Sequence, residues 1–206
     1  PRAVSKDGRT IVITMDAPDS ATEVFVTDPS FANLRRLTTT NPQLAEIAQG
    51  QTEVITWKSS DGVEIEGVLL KPVGFEAGRR YPTLVVAHGG PAGAFVNGFR
   101  LGGLEGGQVY ASKGWGVFYP NPRGSSNYGQ KTLAANVNDW GGGDFKDIMT
   151  GVDALVARGI ADPEPGLRFV HLRTTLRKST QLPRPTITPA EVATRLMHWL
   201  GTTAAT

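Results

Sequence analysis

Three glycine-rich motifs carry the groups with which this sequence could do chemistry. His88-Gly89-Gly90-Pro91 follows directly on an apolar run at 83–87. Glycines at the end of a sheet strand let backbone N–H groups approach a developing oxyanion, which is the chemistry of acyl transfer; a glycine-rich turn with a packed histidine is the alternative. Residues 121–129, Asn-Pro-Arg-Gly-Ser-Ser-Asn-Tyr-Gly, follow the next apolar run at 116–119. Arg123 there either holds a substrate carbonyl or carboxylate, or pairs with an internal acid. Asp139-Trp140-Gly141-Gly142-Gly143-Asp144 leads into a strong helical pattern and reads as a turn with a helix cap.

Acyl transfer also needs a nucleophile held beside a base. The nearest approach to a G-x-S-x-G elbow is Gly124-Ser125-Ser126-Asn127-Tyr128, which puts Tyr128 where the strained turn needs a small residue. Ser126 is therefore a weak candidate, and Ser179 beside Lys178 has no supporting context. His171 and His198 are bases by residue type only. Nucleophile, acid and base are not identified. Three widely spaced histidines without an acidic cluster, and no cysteine, give no metal centre, and no cofactor motif is read. The lack of cysteine also excludes disulfides and leaves the redox compartment unread.

The positioning elements follow from pattern. Residues 4–42 alternate short strands (11–13, 23–27, 34–38) with turns, the grammar of a β-propeller blade; a short hairpin packed on the next domain is the plainer alternative. Residues 53–57 and 63–70 flank the hairpin turn Ser59-Ser60-Asp61-Gly62. The apolar runs at 83–87 and 116–119 suit strands covered on both faces, with a helix between them near 105–113. Leu84, Val85 and Val86 are expected to be buried, with a helix over 144–158 against one face of their sheet. That helix carries Phe145, Ile148, Met149, Val152, Leu155 and Val156 at 3.6-residue spacing, capped by Asp144 and stopped by Gly159. The sum is an α/β sheet with helices on its faces.

Beyond residue 162 the pattern breaks. Residues 165–206 hold six basic side chains against one acid, a net +5, which leaves −3 for residues 1–164. A strand-like run at 167–172 is followed by polar and basic residues. Thr188-Pro189-Ala190-Glu191 then forms a capping box ahead of an apolar stripe (Val192, Leu196, Trp199, Leu200) that reads as core or interface. The tail has few aromatics and no nucleic-acid-binding module, so it is read as a solvated basic segment rather than a nucleic-acid interface. No apolar run is long enough to span a bilayer and no leader is seen. The sequence opens on Pro1, so an upstream leader, and with it a cytoplasmic or periplasmic location, stays open.

In order and spacing the three motifs resemble the prolyl oligopeptidase family of serine peptidases, most closely its acylaminoacyl-peptidase and dipeptidyl-aminopeptidase-like branch. The resemblance covers roughly residues 4–164. It implies a partial α/β-hydrolase sheet preceded by a β-propeller-blade-like segment: residues 1–50 the end of a propeller, 51–164 the front half of the catalytic domain, 165–206 an atypical basic tail. It implies hydrolysis of short peptides by Ser-His-Asp acyl transfer without a cofactor. Gly90 would donate its backbone N–H to the oxyanion, and His88 would shape that loop without serving as the triad base. The family would next place a fifth strand and a G-x-S-x-G elbow, but 167–172 leads only into Arg173-Thr174-Thr175. The chain alone is therefore expected to be inactive, with a frame change or truncated gene near residue 164 the preferred explanation. A non-catalytic binding protein on a decayed hydrolase fold, its tail a packed element, is the alternative.

Overall fold

Alternating apolar residues and tight turns at the start of the chain fold as an antiparallel meander. The computed structural model describes residues 3–89, 92–99 and 106–163. Strands β1 (Ala3–Val4), β2 (Ile11–Ala17), β3 (Ser20–Thr27) and β4 (Arg35–Arg36) lie side by side in chain order. The β2–β3 ladder runs from Ile11↔Thr27 to Ala17↔Ser20, with a bulge between Met15 and Ala17 ahead of the Pro18-Asp19 turn. The third strand expected at 34–38 is only two residues long, extended by the Leu37 N–H bonding the Val24 carbonyl at 2.8 Å. In place of a hairpin there is a four-stranded sheet. Apolar Val4, Met15, Leu34 and Leu37 stay on its surface.

One acid sits inside this sheet. Glu23 is 3% exposed, and its carboxylate accepts hydrogen bonds from the Thr38 hydroxyl, the Thr40 N–H (2.8 Å), the Arg36 guanidinium (2.8 Å) and the Thr40 hydroxyl (3.1 Å). These bonds, the Thr38 hydroxyl foremost, hold its pKa down to about 2 against the opposing effect of burial. A folded-state pKa below the unfolded value means stabilisation that is complete above the unfolded value and lost as pH falls through the folded one. The stability gap between the protein and Glu23→Gln should therefore be constant above about pH 5 and shrink between roughly pH 4.5 and 2. Urea titrations of both proteins across that range measure it; a gap independent of pH would show that the carboxylate is not held by these donors.

The second sheet carries the core. Strands β5 (Thr52–Lys58) and β6 (Glu64–Leu70) form the hairpin expected around residues 59–62, paired from Thr52↔Leu70 to Lys58↔Glu64. Strands β7 (Thr83–Val85) and β8 (Gly116–Asn121) are parallel neighbours, and the sheet order is β5-β6-β8-β7. Parallel strands need a crossover; it contains α1 (Gly107–Ala111), inside the stretch read as helical. Helices α2 (Gln130–Ala134) and α3 (Gly143–Ala157) follow β8. Side chains alternate across the sheet. Ile55, Trp57, Ile65, Leu69 and Phe118 pack with Val152 and Leu155 of α3, while Val68, Leu70, Val117 and Tyr119 pack with Ala111 of α1 on the other face.

Three expectations are corrected here. Leu84, Val85 and Val86 are half-buried rather than buried, because β7 is an edge of the described sheet; Val85 still joins the α3 side, and Leu84 and Val86 the other. The buried face of α3 is Gly143, Asp147, Gly151, Val152 and Leu155, and Phe145 is exposed. Finally, Asp144 caps from within the first turn of α3 and not from the N-cap position, its Oδ1 accepting the Phe145 N–H at 2.8 Å. The N-cap position is Gly142, and the Gly143 N–H donates to Asp139 Oδ2 at 2.8 Å, so the acid three residues ahead of Gly142 satisfies the orphan donor. The run at 167–172, the capping box at 188–191 and the whole basic tail lie outside the described residues.

Candidate active site

Because β7 and β8 run parallel, the loops that leave them emerge side by side at one end of the sheet, where open α/β folds place their sites. The loop after β7 is laced to the loop after β8. Asn121, the last residue of β8, accepts the Phe95 N–H at 2.7 Å on its Oδ1 and donates from Nδ2 to the Phe95 carbonyl at 2.9 Å. The Ser126 N–H donates to the Gly93 carbonyl at 3.1 Å. His88 Nε2 lies 2.9 Å from Ser125 Oγ, and its ring stands edge-on to Phe95 with centroids 5.2 Å apart. Of the two residues singled out for oxyanion chemistry, His88 is thus placed in this seam. Gly90 lies outside the described residues.

A serine beside a histidine suggests a nucleophile and its base, but the proton runs the wrong way. Ser125 is fully buried, and its hydroxyl donates to the Pro122 carbonyl at 2.6 Å. With its one proton so used, its oxygen faces His88 as an acceptor. Ser126 is tied down through its own N–H, and its hydroxyl makes no hydrogen bond to a described histidine. His171, His198 and Ser179 lie outside the described residues.

The two readings of Arg123 are now separated. Its backbone N–H and Nε both donate to Asp147 Oδ2 at 2.8 Å, and one terminal nitrogen reaches Asp147 Oδ1 at 2.8 Å. Two further bonds, of 2.8 and 3.0 Å, go to Asp61 in the β5–β6 turn. Asp147 is fully buried and Asp61 half exposed. The bonds to Asp147 and then to Asp61 raise the Arg123 pKa further above its usual value. The Arg123 hydrogen bonds in turn hold the Asp61 carboxyl down to about 2. Arg123 is an internal clamp joining the β8 loop, α3 and the hairpin turn. Sequence reading missed Asp147, which lies on the buried face of α3 but away from the apolar stripe, so no local pattern marked it.

Tyr128 closes the other side of the loop. Its hydroxyl donates to Glu66 Oε1 at 2.7 Å and accepts from Asn121 Nδ2 at 2.8 Å. Burial, followed by the bond to Glu66, pushes its pKa up to about 12, so it remains a neutral hydrogen-bonding group. A cleft of about 210 Å³ beside β6 is lined by Ile65, Glu66, Arg123, Tyr128, Lys131 and Ala135; neither His88 nor Ser125 lines it. Among the described residues no three His, Cys, Asp or Glu side chains gather as metal ligands, and no helix is long and apolar enough to cross a membrane.

Comparison with known proteins agrees with this layout. Residues 106–166 match the family model described as the prolyl oligopeptidase family. The chain is 32% identical over 157 residues to the uncharacterized peptidase YuxL of Bacillus subtilis, covering 76% of this chain and 23% of that protein. It is 33% identical over 109 residues to dipeptidyl-peptidase 5 of Arthroderma otae, covering 53% and 15%. Among solved structures it resembles the Pyrococcus horikoshii acylaminoacyl peptidase, with a TM-score of 0.65, 29% identity and coverage of 75% and 24%. A Mycobacterium tuberculosis puromycin-hydrolyzing peptidase gives a TM-score of 0.64 at 27% identity, covering 76% and 24%. The chain thus spans less than a quarter of the length of these relatives. By its ordered motifs, its sheet and its relatives, the chain is similar to members of the prolyl oligopeptidase family, whose model matches residues 106–166.

Proposed function

We propose that this chain is the front of the catalytic α/β-hydrolase domain of a serine peptidase, preceded by the last blade of a β-propeller. In the intact protein, short peptides would be cleaved by acyl transfer: a serine attacks the scissile carbonyl, a histidine moves its proton to the leaving amine, and water releases the acyl group. No cofactor is needed for this chemistry, and the peptide is the partner. This chain contributes the oxyanion side. Gly90 N–H is one donor on the strength of the His-Gly-Gly-Pro motif, and His88 shapes its loop. The observation that carries the reading is the seam at the strand ends, where Asn121, Ser125 and Ser126 hold the β7 loop in place.

The 206-residue chain alone should be inactive, because an oxyanion donor without nucleophile and base leaves only the residual rate of binding and electrostatic stabilisation. Labelling with a fluorophosphonate probe, alongside turnover of a short peptide anilide, tests this. The expected result is no labelling, whereas a longer product, encoded by the DNA read in all frames past codon 164, should label at the serine of a G-x-S-x-G elbow. Stoichiometric labelling of one serine in the 206-residue chain, abolished by heat denaturation, would overturn the reading. Were that serine Ser126, the active site would have to be rebuilt around residues 123–128.

A further inference from the structure

The seam between the two loops contains one polar contact whose proton positions can be worked out. Ser125 Oγ sits between an obligate acceptor, the Pro122 carbonyl at 2.6 Å, and His88 Nε2 at 2.9 Å. A hydroxyl has one proton and two lone pairs, and a neutral imidazole carries a proton on one nitrogen only. If Nε2 carries it, both short contacts are hydrogen bonds: His88 Nε2–H to Ser125 Oγ, and Ser125 Oγ–H to the Pro122 carbonyl. If Nδ1 carries it, the serine proton must turn toward Nε2. The buried Pro122 carbonyl then faces an oxygen at 2.6 Å with no proton between them. The only return is a long Nδ1 contact of 3.4 Å to the Gly89 carbonyl. The carbonyl keeps the Ser125 N–H at 3.1 Å, but two oxygens 2.6 Å apart with no proton between them repel, and this loss exceeds what one such contact recovers.

We propose that Ser125 is a positioning residue: its buried hydroxyl locks the His88 imidazole in the Nε2–H tautomer and thereby sets the course of the glycine loop that begins at His88. The ring is held on its other sides too. Phe95 stands against it, itself pinned through both backbone groups by Asn121. At Gly93 a Cβ would lie 2.9 Å from His88 Nδ1 and 2.7 Å from the Gly89 carbonyl, so only glycine leaves room for ring and loop together. His88 is joined directly to Gly89, so fixing the ring constrains the backbone from which the Gly89 amide is presented. That the loop serves an oxyanion rests on the peptidase reading; the lock itself does not.

The test is long-range ¹H–¹⁵N spectroscopy of the ¹⁵N-histidine-labelled 206-residue chain at about pH 8, above the ordinary imidazole range. His88 is assigned by its loss in His88→Gln. The expected result is a single Nε2–H tautomer for His88. Ser125→Ala should lose it and shift the amides of residues 89 and 92–95, and Ser125→Thr, which restores the hydroxyl, should recover it. Gly93→Ala should displace the ring and lose the tautomer with Ser125 intact. A wild-type His88 in the Nδ1–H form, or averaging between the two tautomers, overturns the proposal whether or not Ser125→Ala folds. So does a tautomer unchanged in Ser125→Ala. No hydrolysis enters these readouts. A locked His88 in a chain whose longer product shows no peptidase activity would sink the peptidase reading alone, and an unlocked His88 with an active longer product would sink the lock alone.

Discussion

Replacing Arg123 with methionine should destabilise the protein by about 3–5 kcal/mol, the cost of stranding one member of a buried ion pair. The figure follows from where the two charges sit. The Asp147 side chain is fully buried and the Arg123 side chain only 15% exposed, with two side-chain bonds of 2.8 Å between them. Arg123→Met fills much of the same volume but leaves the carboxylate with only the Arg123 backbone N–H as a partner. Asp61 stands 49% exposed at the other end of the guanidinium, so its pairing is screened by water and contributes little.

The double variant Arg123→Met/Asp147→Leu separates charge from packing. Exchanging a buried pair for apolar groups of similar size is often near neutral, so the double should recover most of the loss. Urea unfolding of the three variants measures this, with the slope checked for two-state behaviour. A single variant within about 1 kcal/mol of the parent would mean that water reaches Asp147 and that the pair is a surface one. Because Arg123 also anchors the loop that carries Ser125, the single variant should loosen the seam at the β7 end as well as α3.

Local rules reached the elements well and the connections between them poorly. The hairpin at 59–62, the existence of strands β7 and β8 and that of α3 were legible because each depends on turn chemistry or periodicity within a few residues. The face of α3 was misread because an apolar count placed Phe145 inside, whereas Gly143 and Gly151 leave room there for Arg123, Trp57 and Phe118. Asp147 was passed over for the same reason: its burial is set by Arg123, 24 residues away, and no local pattern marks it. At the site, His88 was found from its glycines. Ser125 was noticed only as part of a failed elbow, since its role depends on a contact across 37 residues.

Gly151→Ala should lower stability by about 1–3 kcal/mol, the usual range for overpacking a tight core. Intrinsic propensity alone predicts the opposite sign, because alanine gains roughly 1 kcal/mol over glycine in a helix interior. What decides between them is the wall that the new methyl would meet. A Cβ at Gly151 would lie 2.8 Å from Phe118 Cζ and from Trp57 Cε2 and Cζ2. Neither ring can retreat cheaply. Phe118 is fully buried on β8, and Trp57 packs edge-on against it at 5.2 Å. The indole is also tied to the helix itself, its Nε1–H donating to the Asp147 carbonyl one turn before Gly151 at 2.8 Å. To accept the methyl, α3 must either lift from the sheet or break that bond. Shortening the wall relieves the conflict: in a Trp57→Phe background the added cost of Gly151→Ala should be smaller, a non-additivity expected of residues in direct contact. Denaturant unfolding of the four proteins in the cycle reads both quantities. A gain in stability on Gly151→Ala in the wild-type background would show that α3 does not approach β5 and β8 this closely, and the buried setting of Asp147 would fall with it.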